Sequence, residues 1–134
     1  MGVSIYYLAR RSYPLTKKEI ENIEGIIKEY DKGKPFKKGA DFYVYDYNKK
    51  KPEEIFYGAT GLPLSSDAMI TVEACLYWAE CLTKIRHIIK DAEWSVNMDD
   101  TELEWNEKDG WQLPMEGWEG GDGLNYKKYK ESFK

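Results

Sequence analysis

A chain of 134 residues, 42% hydrophobic and 15% aromatic, is sized for one domain (1–134) with a real core, which excludes a disordered polypeptide. Its formal charge of −4, with 24 acidic against 20 basic residues, argues against a general nucleic-acid binder, because contacts to phosphates need positive charge. Two cysteines and one histidine are too few for a disulfide framework or a zinc cluster.

Residues 3–9 form a short run of β-branched and aromatic residues, a strand candidate. No basic stretch or long apolar run accompanies them, so neither a signal peptide nor a membrane span is expected, and the expected compartment is the cytoplasm. A helix is announced at Thr16, with Glu19 completing a capping box and Leu15 and Ile20 placed as a hydrophobic staple. Ile20, Ile23, Ile26, Ile27 and Tyr30 follow at helical spacing, and Gly33 and Pro35 end the run.

Residues 41–47 read as a strand with Phe42 and Val44 on one face and Tyr43, Tyr45 and Tyr47 on the other. A turn over residues 48–52 returns the chain into a partner strand over 54–59, closed by Gly61-Leu62-Pro63. Residues 68–90 predict a long helix whose wide apolar arc, including Val72, Leu76, Ala79, Leu82, Ile85 and Ile89, suits a central position against a sheet. Cys75 and Cys81, six apart on that helix, diverge and cannot pair; they read as buried thiols. His87 has no second ligand or nucleophile placed to help it.

From residue 93 a hairpin with Asp99-Asp100 as its loop sets Met98 opposite Thr101, Val96 opposite Leu103 and Trp94 opposite Trp105. That register separates Trp94, Val96, Met98, Leu103 and Trp105 from Ser95, Asn97, Glu102 and Glu104. Lys108-Asp109-Gly110 predicts another turn, with a short strand over 111–113. Residues 114–134 read as irregular loop and tail, with Tyr126, Tyr129 and Phe133 as possible anchors. The expected fold class is α+β: an antiparallel sheet with two helices on one face, in the ferredoxin-like βαββαβ order, plus a C-terminal strand or two.

Residues 93–122 hold ten acids, one lysine and four of the five tryptophans, a formal charge of about −9 that leaves about +5 on the remainder. No nucleophile elbow, phosphate loop or metal-ligand spacing occurs in the chain. The carboxylates of Asp99, Asp100, Glu102 and Glu104 could attract a hard cation, but their spacing misses a Ca²⁺ loop. Neither a metal nor a cofactor is therefore expected, and no bond-making chemistry. Trp and Tyr ringed by charge are common anchors of protein interfaces, and a concentrated negative field steers a basic partner. The expected contact residues are Trp111 and Trp118, in or near loops, with Glu107, Asp109, Glu116 and Glu119 around them and the hairpin acids Asp99, Asp100, Glu102 and Glu104 beside them; the alternative is that these two indoles cap the end of the core, the place expected of Trp94 and Trp105.

In size, charge and Trp/Tyr-rich composition the whole chain resembles the immunity proteins that bacteria pair with secreted toxins. That resemblance implies an inhibitor that blocks a basic toxin or nuclease domain through an acidic surface. Two other readings are open: a small enzyme or small-molecule binder with an aromatic pocket between the sheet and the C-terminal loops, and a single-stranded RNA-binding sheet using Tyr43, Tyr45 and Tyr47.

Overall fold

The computed structural model describes residues 3–36, 42–44, 53–63, 67–89, 91–114 and 123–132. Strand β1 (Ser4–Arg10) leads into helix α1 (Lys17–Gly33), followed by β2 (Glu54–Gly61), the long helix α2 (Ala68–Ile88), β3 (Glu93–Met98) and β4 (Thr101–Glu102). A small ribbon, β5 (Glu104–Asn106) with β6 (Gly110–Gln112), and helix α3 (Tyr126–Ser132) complete the described elements.

Helix α1 starts as its sequence dictates. The Thr16 side chain accepts from the Glu19 N–H, and the Glu19 carboxylate accepts from the Thr16 N–H at 2.8 Å. The same carboxylate pairs with the buried guanidinium of Arg11 at 2.7 Å. Lys34, held extended before Pro35, ends the helix. Helix α2, capped by Asp67, buries Ala74, Cys75, Leu76, Tyr77, Trp78, Ala79, Cys81, Leu82 and Ile85. Burial this far round its circumference makes it the axis of the core.

The main sheet is antiparallel throughout, in the order β2-β1-β3-β4. Strict alternation sends Ile5, Tyr7 and Ala9 into the core and leaves Tyr6, Leu8 and Arg10 on the opposite face. Phe56, Val96 and Leu103 join the inward set, which forms one cluster with Ile23 and Tyr30 of α1 and the buried face of α2.

The α+β class and the antiparallel sheet are as expected, but the ferredoxin-like order is not found among the described residues. It needs a strand over residues 41–47. The described part, residues 42–44, has no strand structure, and Tyr45 and Tyr47 lie outside the described residues. Instead Phe42 stacks on Tyr7, ring centroids 4.6 Å apart, and tilts against Trp78. Side chains satisfy the Tyr43 backbone: its N–H donates to Thr60 Oγ1 at 3.1 Å, and its carbonyl accepts from the Tyr7 hydroxyl. Because the Tyr7 proton is spent on that carbonyl, the 2.7 Å contact between Tyr7 and Thr60 has the threonine as donor, closing a ring of three hydrogen bonds. Gly58 makes room for this crossing; a Cβ there would overlap the Tyr43 carbonyl and lie 2.8 Å from the Tyr7 ring.

The tail also departs from expectation. Residues 126–132, read as irregular, form α3, and Leu113 and Leu124 bond each other's backbones at 2.8 Å in both directions. Tyr126 and Tyr129 do anchor it against the core, with Tyr126 packing edge-on to Tyr77 at 5.4 Å; Phe133 lies outside the described residues.

Candidate partner-binding surface

The β3–β4 hairpin keeps its expected register as far as Leu103: Met98 lies opposite Thr101, Asn97 opposite Glu102, and the Leu103 N–H donates to the Val96 carbonyl. The loop residue Asp99 adopts a left-handed conformation with φ 48, which an Asp tolerates better than most residues. It is tied to the start of β1, since its N–H donates to the Ser4 carbonyl and its carboxylate accepts from the Ser4 N–H at 3.1 Å.

Beyond Leu103 the expectation fails. Trp105 does not pair with Trp94; it pairs with Trp111 across the β5–β6 ribbon. The turn between them is built by Asn106, whose side-chain oxygen accepts from the N–H groups of Lys108 and Asp109. Gly110, at φ 83, sits so close to Thr83 that a Cβ would lie 2.5 Å from its methyl carbon. The ribbon is thereby laid on α2, and the Trp111 N–H donates to Thr83 Oγ1.

That placement corrects the assignment of Trp111 as an exposed anchor. It is 4% exposed, packed against Trp105 at 5.3 Å and Trp94 at 6.3 Å. A two-stranded ribbon folded onto a helix buries more than a loop could, so this indole belongs to the core. Trp118, Glu116 and Glu119 lie outside the described residues. Trp94 and Trp105 pack partly buried against the core; the Trp105 indole N–H donates to the Glu107 carboxylate at 3.0 Å.

The carboxylates behave differently from the indoles. Glu93, Asp99, Asp100, Glu102, Glu104, Glu107 and Asp109 are all exposed, and among the described residues none of them is in an ion pair. They share one strand hairpin and its adjoining ribbon, so the charge stays concentrated. Among the described residues no group of three or more His, Cys, Asp or Glu is arranged to hold a metal ion.

Among the described residues, two features could hold a ligand. The first is a half-open cleft of about 220 Å³ between α2, the ribbon turn and α3, lined by Glu80, Lys108, Asp109, Asn125, Tyr126 and Lys127 among others. It carries both signs of charge. The Glu80 carboxylate is already held by the Tyr30 hydroxyl at 2.8 Å. The second is the outer face of the main sheet, where Tyr6 is 49% exposed. Tyr6 is not among the expected contact residues, although the alternation of Ile5, Tyr7 and Ala9 with Tyr6, Leu8 and Arg10 assigns it to this face.

Cys75 and Cys81 are buried and unpaired, and burial raises both thiols, Cys75 to about 12. His87 lies on the surface with its ring edge-on to Trp105. No described helix is long and apolar enough to cross a membrane. Comparison with protein-family models, with curated proteins and with solved structures gives no match.

Proposed function

We propose that the protein is a non-catalytic binding module, an immunity-type inhibitor that blocks a basic toxin or nuclease domain. The observation that carries this reading is the set of seven exposed carboxylates, from Glu93 to Asp109, none of them within ion-pair distance of a described cation. Asp99 and Glu107 serve the fold by accepting from the Ser4 N–H and the Trp105 indole, but the other five carboxylates make no such bond among the described residues, and like charges gathered on one hairpin and ribbon repel. A field of that kind speeds encounter with a positively charged surface and disfavours acidic competitors. Of the features first expected to form the contact, the carboxylates support the reading and the Trp111 indole does not.

The test is titration with basic toxin domains encoded beside the gene in its host. Affinity should fall steeply between 50 and 300 mM salt. The triple substitution Asp100→Asn, Glu102→Gln, Glu104→Gln should weaken it at least tenfold. Binding indifferent to both changes sinks the proposal.

A second reading, a small-molecule binder or small enzyme, draws on the cleft, where a buried indole and Tyr126 meet carboxylates and lysines. Thermal melting against a panel of amino acids and sugars tests it, and a shift abolished by Asp109→Ala favours it over the inhibitor.

A further inference from the structure

The inhibitor reading requires an anchor beside the carboxylates, and the indole first expected to supply one is buried. The sheet register identifies a replacement. Residues directly opposite one another on neighbouring strands share a face. Tyr6 stands between Ala59 of β2 and Asn97 of β3, and Asn97 stands opposite Glu102 of β4. The next row runs Tyr57, Leu8, Ser95, and the one after it sets Arg10 opposite Glu93. With strands about 4.8 Å apart, Glu102 lies roughly 10 Å from Tyr6.

Because the inward residues Ile5, Tyr7 and Ala9 meet the helices, this outer face carries Tyr6 exposed and Leu8, Tyr57 and Ala59 partly exposed. The neighbours of Tyr6 on either side are the short side chains of Ala59 and Asn97. The face therefore grades from an apolar patch through Ser95 and Asn97 to Glu93 and Glu102, with Arg10 at the Glu93 end turned to Glu54 at 3.5 Å. Tyr is among the side chains that most often anchor interfaces, and charge at the rim steers the approach.

Resting on the basic-partner reading, we infer that this outer sheet face is the docking surface. Its occupant is a basic protein segment in which an apolar side chain, flanked by lysine or arginine, seats on Tyr6 while the cations reach Glu93 and Glu102. A second copy of this chain fits less well, because it would bring the same carboxylates to the contact.

The experiment is an NMR titration with two probes, a lysine pentapeptide with a central tryptophan and the same peptide with a central alanine. The tryptophan peptide should shift amides of β1 and β3, more weakly as salt rises. Tyr6→Thr keeps a β-branched residue in the strand. A dispersed spectrum and unchanged melting confirm that it folds. It should lower affinity for the tryptophan peptide about tenfold and leave the alanine peptide unchanged. Glu93→Gln with Glu102→Gln should weaken both peptides. Wild-type affinity in Tyr6→Thr, or shifts confined to the cleft around Asn125 and Tyr126, overturns the docking face and leaves the basic-partner reading standing. No salt-sensitive binding of either peptide overturns both. Oligouridylate shifting the same amides more strongly than the peptides overturns the inference in favour of a nucleic acid.

Discussion

The guanidinium carbon of Arg86 lies 4.1 Å from the ring centroid of Trp105 and 5.1 Å from that of Trp111. One cation on α2 thus covers both indoles of the β5–β6 ribbon. Burial lowers the Arg86 pKa, and the nearby Glu107 carboxylate acts in the opposite direction. Glu107 also accepts from the Trp105 indole N–H, so the ribbon supplies both the rings and the countercharge.

Arg86→Ala should therefore cost stability without touching the outer sheet face. The expected loss is about 1–2 kcal/mol, from the cation–π contacts and the packing of the aliphatic stem. Urea denaturation measures it, and a loss within error of zero would contradict the role given to this contact. Arg86→Lys should fall between the two, because an ammonium stacks less well on a flat ring.

Trp111 should act in folding and not in recognition. Trp111→Ala should cost about 3–5 kcal/mol, the range for deleting a large buried aromatic. Its indole N–H is buried without a hydrogen-bond partner, so Trp111→Phe loses no such bond and should cost much less. Melting temperatures of the two variants separate the cases. A well-folded Trp111→Ala protein that had lost only partner affinity would reinstate the indole as a contact residue.

Two glycines should respond oppositely to alanine. Gly58 is hemmed in by the Tyr43 carbonyl and the Tyr7 ring, backbone and core that cannot easily yield, so Gly58→Ala should cost roughly 2–3 kcal/mol or more. Gly25 lies inside α1 with nothing within 4 Å of an added Cβ, so Gly25→Ala should stabilise by about 0.5–1 kcal/mol. Paired thermal melts decide, and a neutral Gly58→Ala would mean that residues 42–44 do not cross there.

Glu19 should make stability fall in acid. Its hydrogen bond to the Arg11 guanidinium holds the carboxyl below its ordinary range, and the same pairing raises Arg11. A depressed folded-state pKa gives stability that is fully present above the unfolded value of about 4.3 and lost as pH falls through the folded value. Glu19→Gln should remove that part of the acid sensitivity. At neutral pH it should cost about 2 kcal/mol, because the charge-assisted bonds between Glu19 and Arg11 are lost. Denaturation midpoints of both proteins from pH 7 to pH 3 test this.

Several elements could be read from the amino acids because their causes are local. The capping box at Thr16 and Glu19, the apolar arc of α2 and the two-sided alternation around Asp99-Asp100 each depend on neighbours within a few positions. The tight cluster of acids was equally legible, since charge density along a strand survives folding wherever the side chains point to water.

The remainder hung on contacts between distant segments. Whether residues 42–44 joined the sheet depended on Tyr7 and Thr60, far off in sequence, competing for the Tyr43 backbone. Whether Trp111 faced water depended on Gly110 closing against Thr83, and which tyrosine shared the outer sheet face with Glu102 depended on β1 lying between β2 and β3. Local periodicity carries no record of such long-range pairings, so composition revealed that this chain holds carboxylates and aromatic rings in excess, and only the packed molecule sorted the rings into a core and an exposed face.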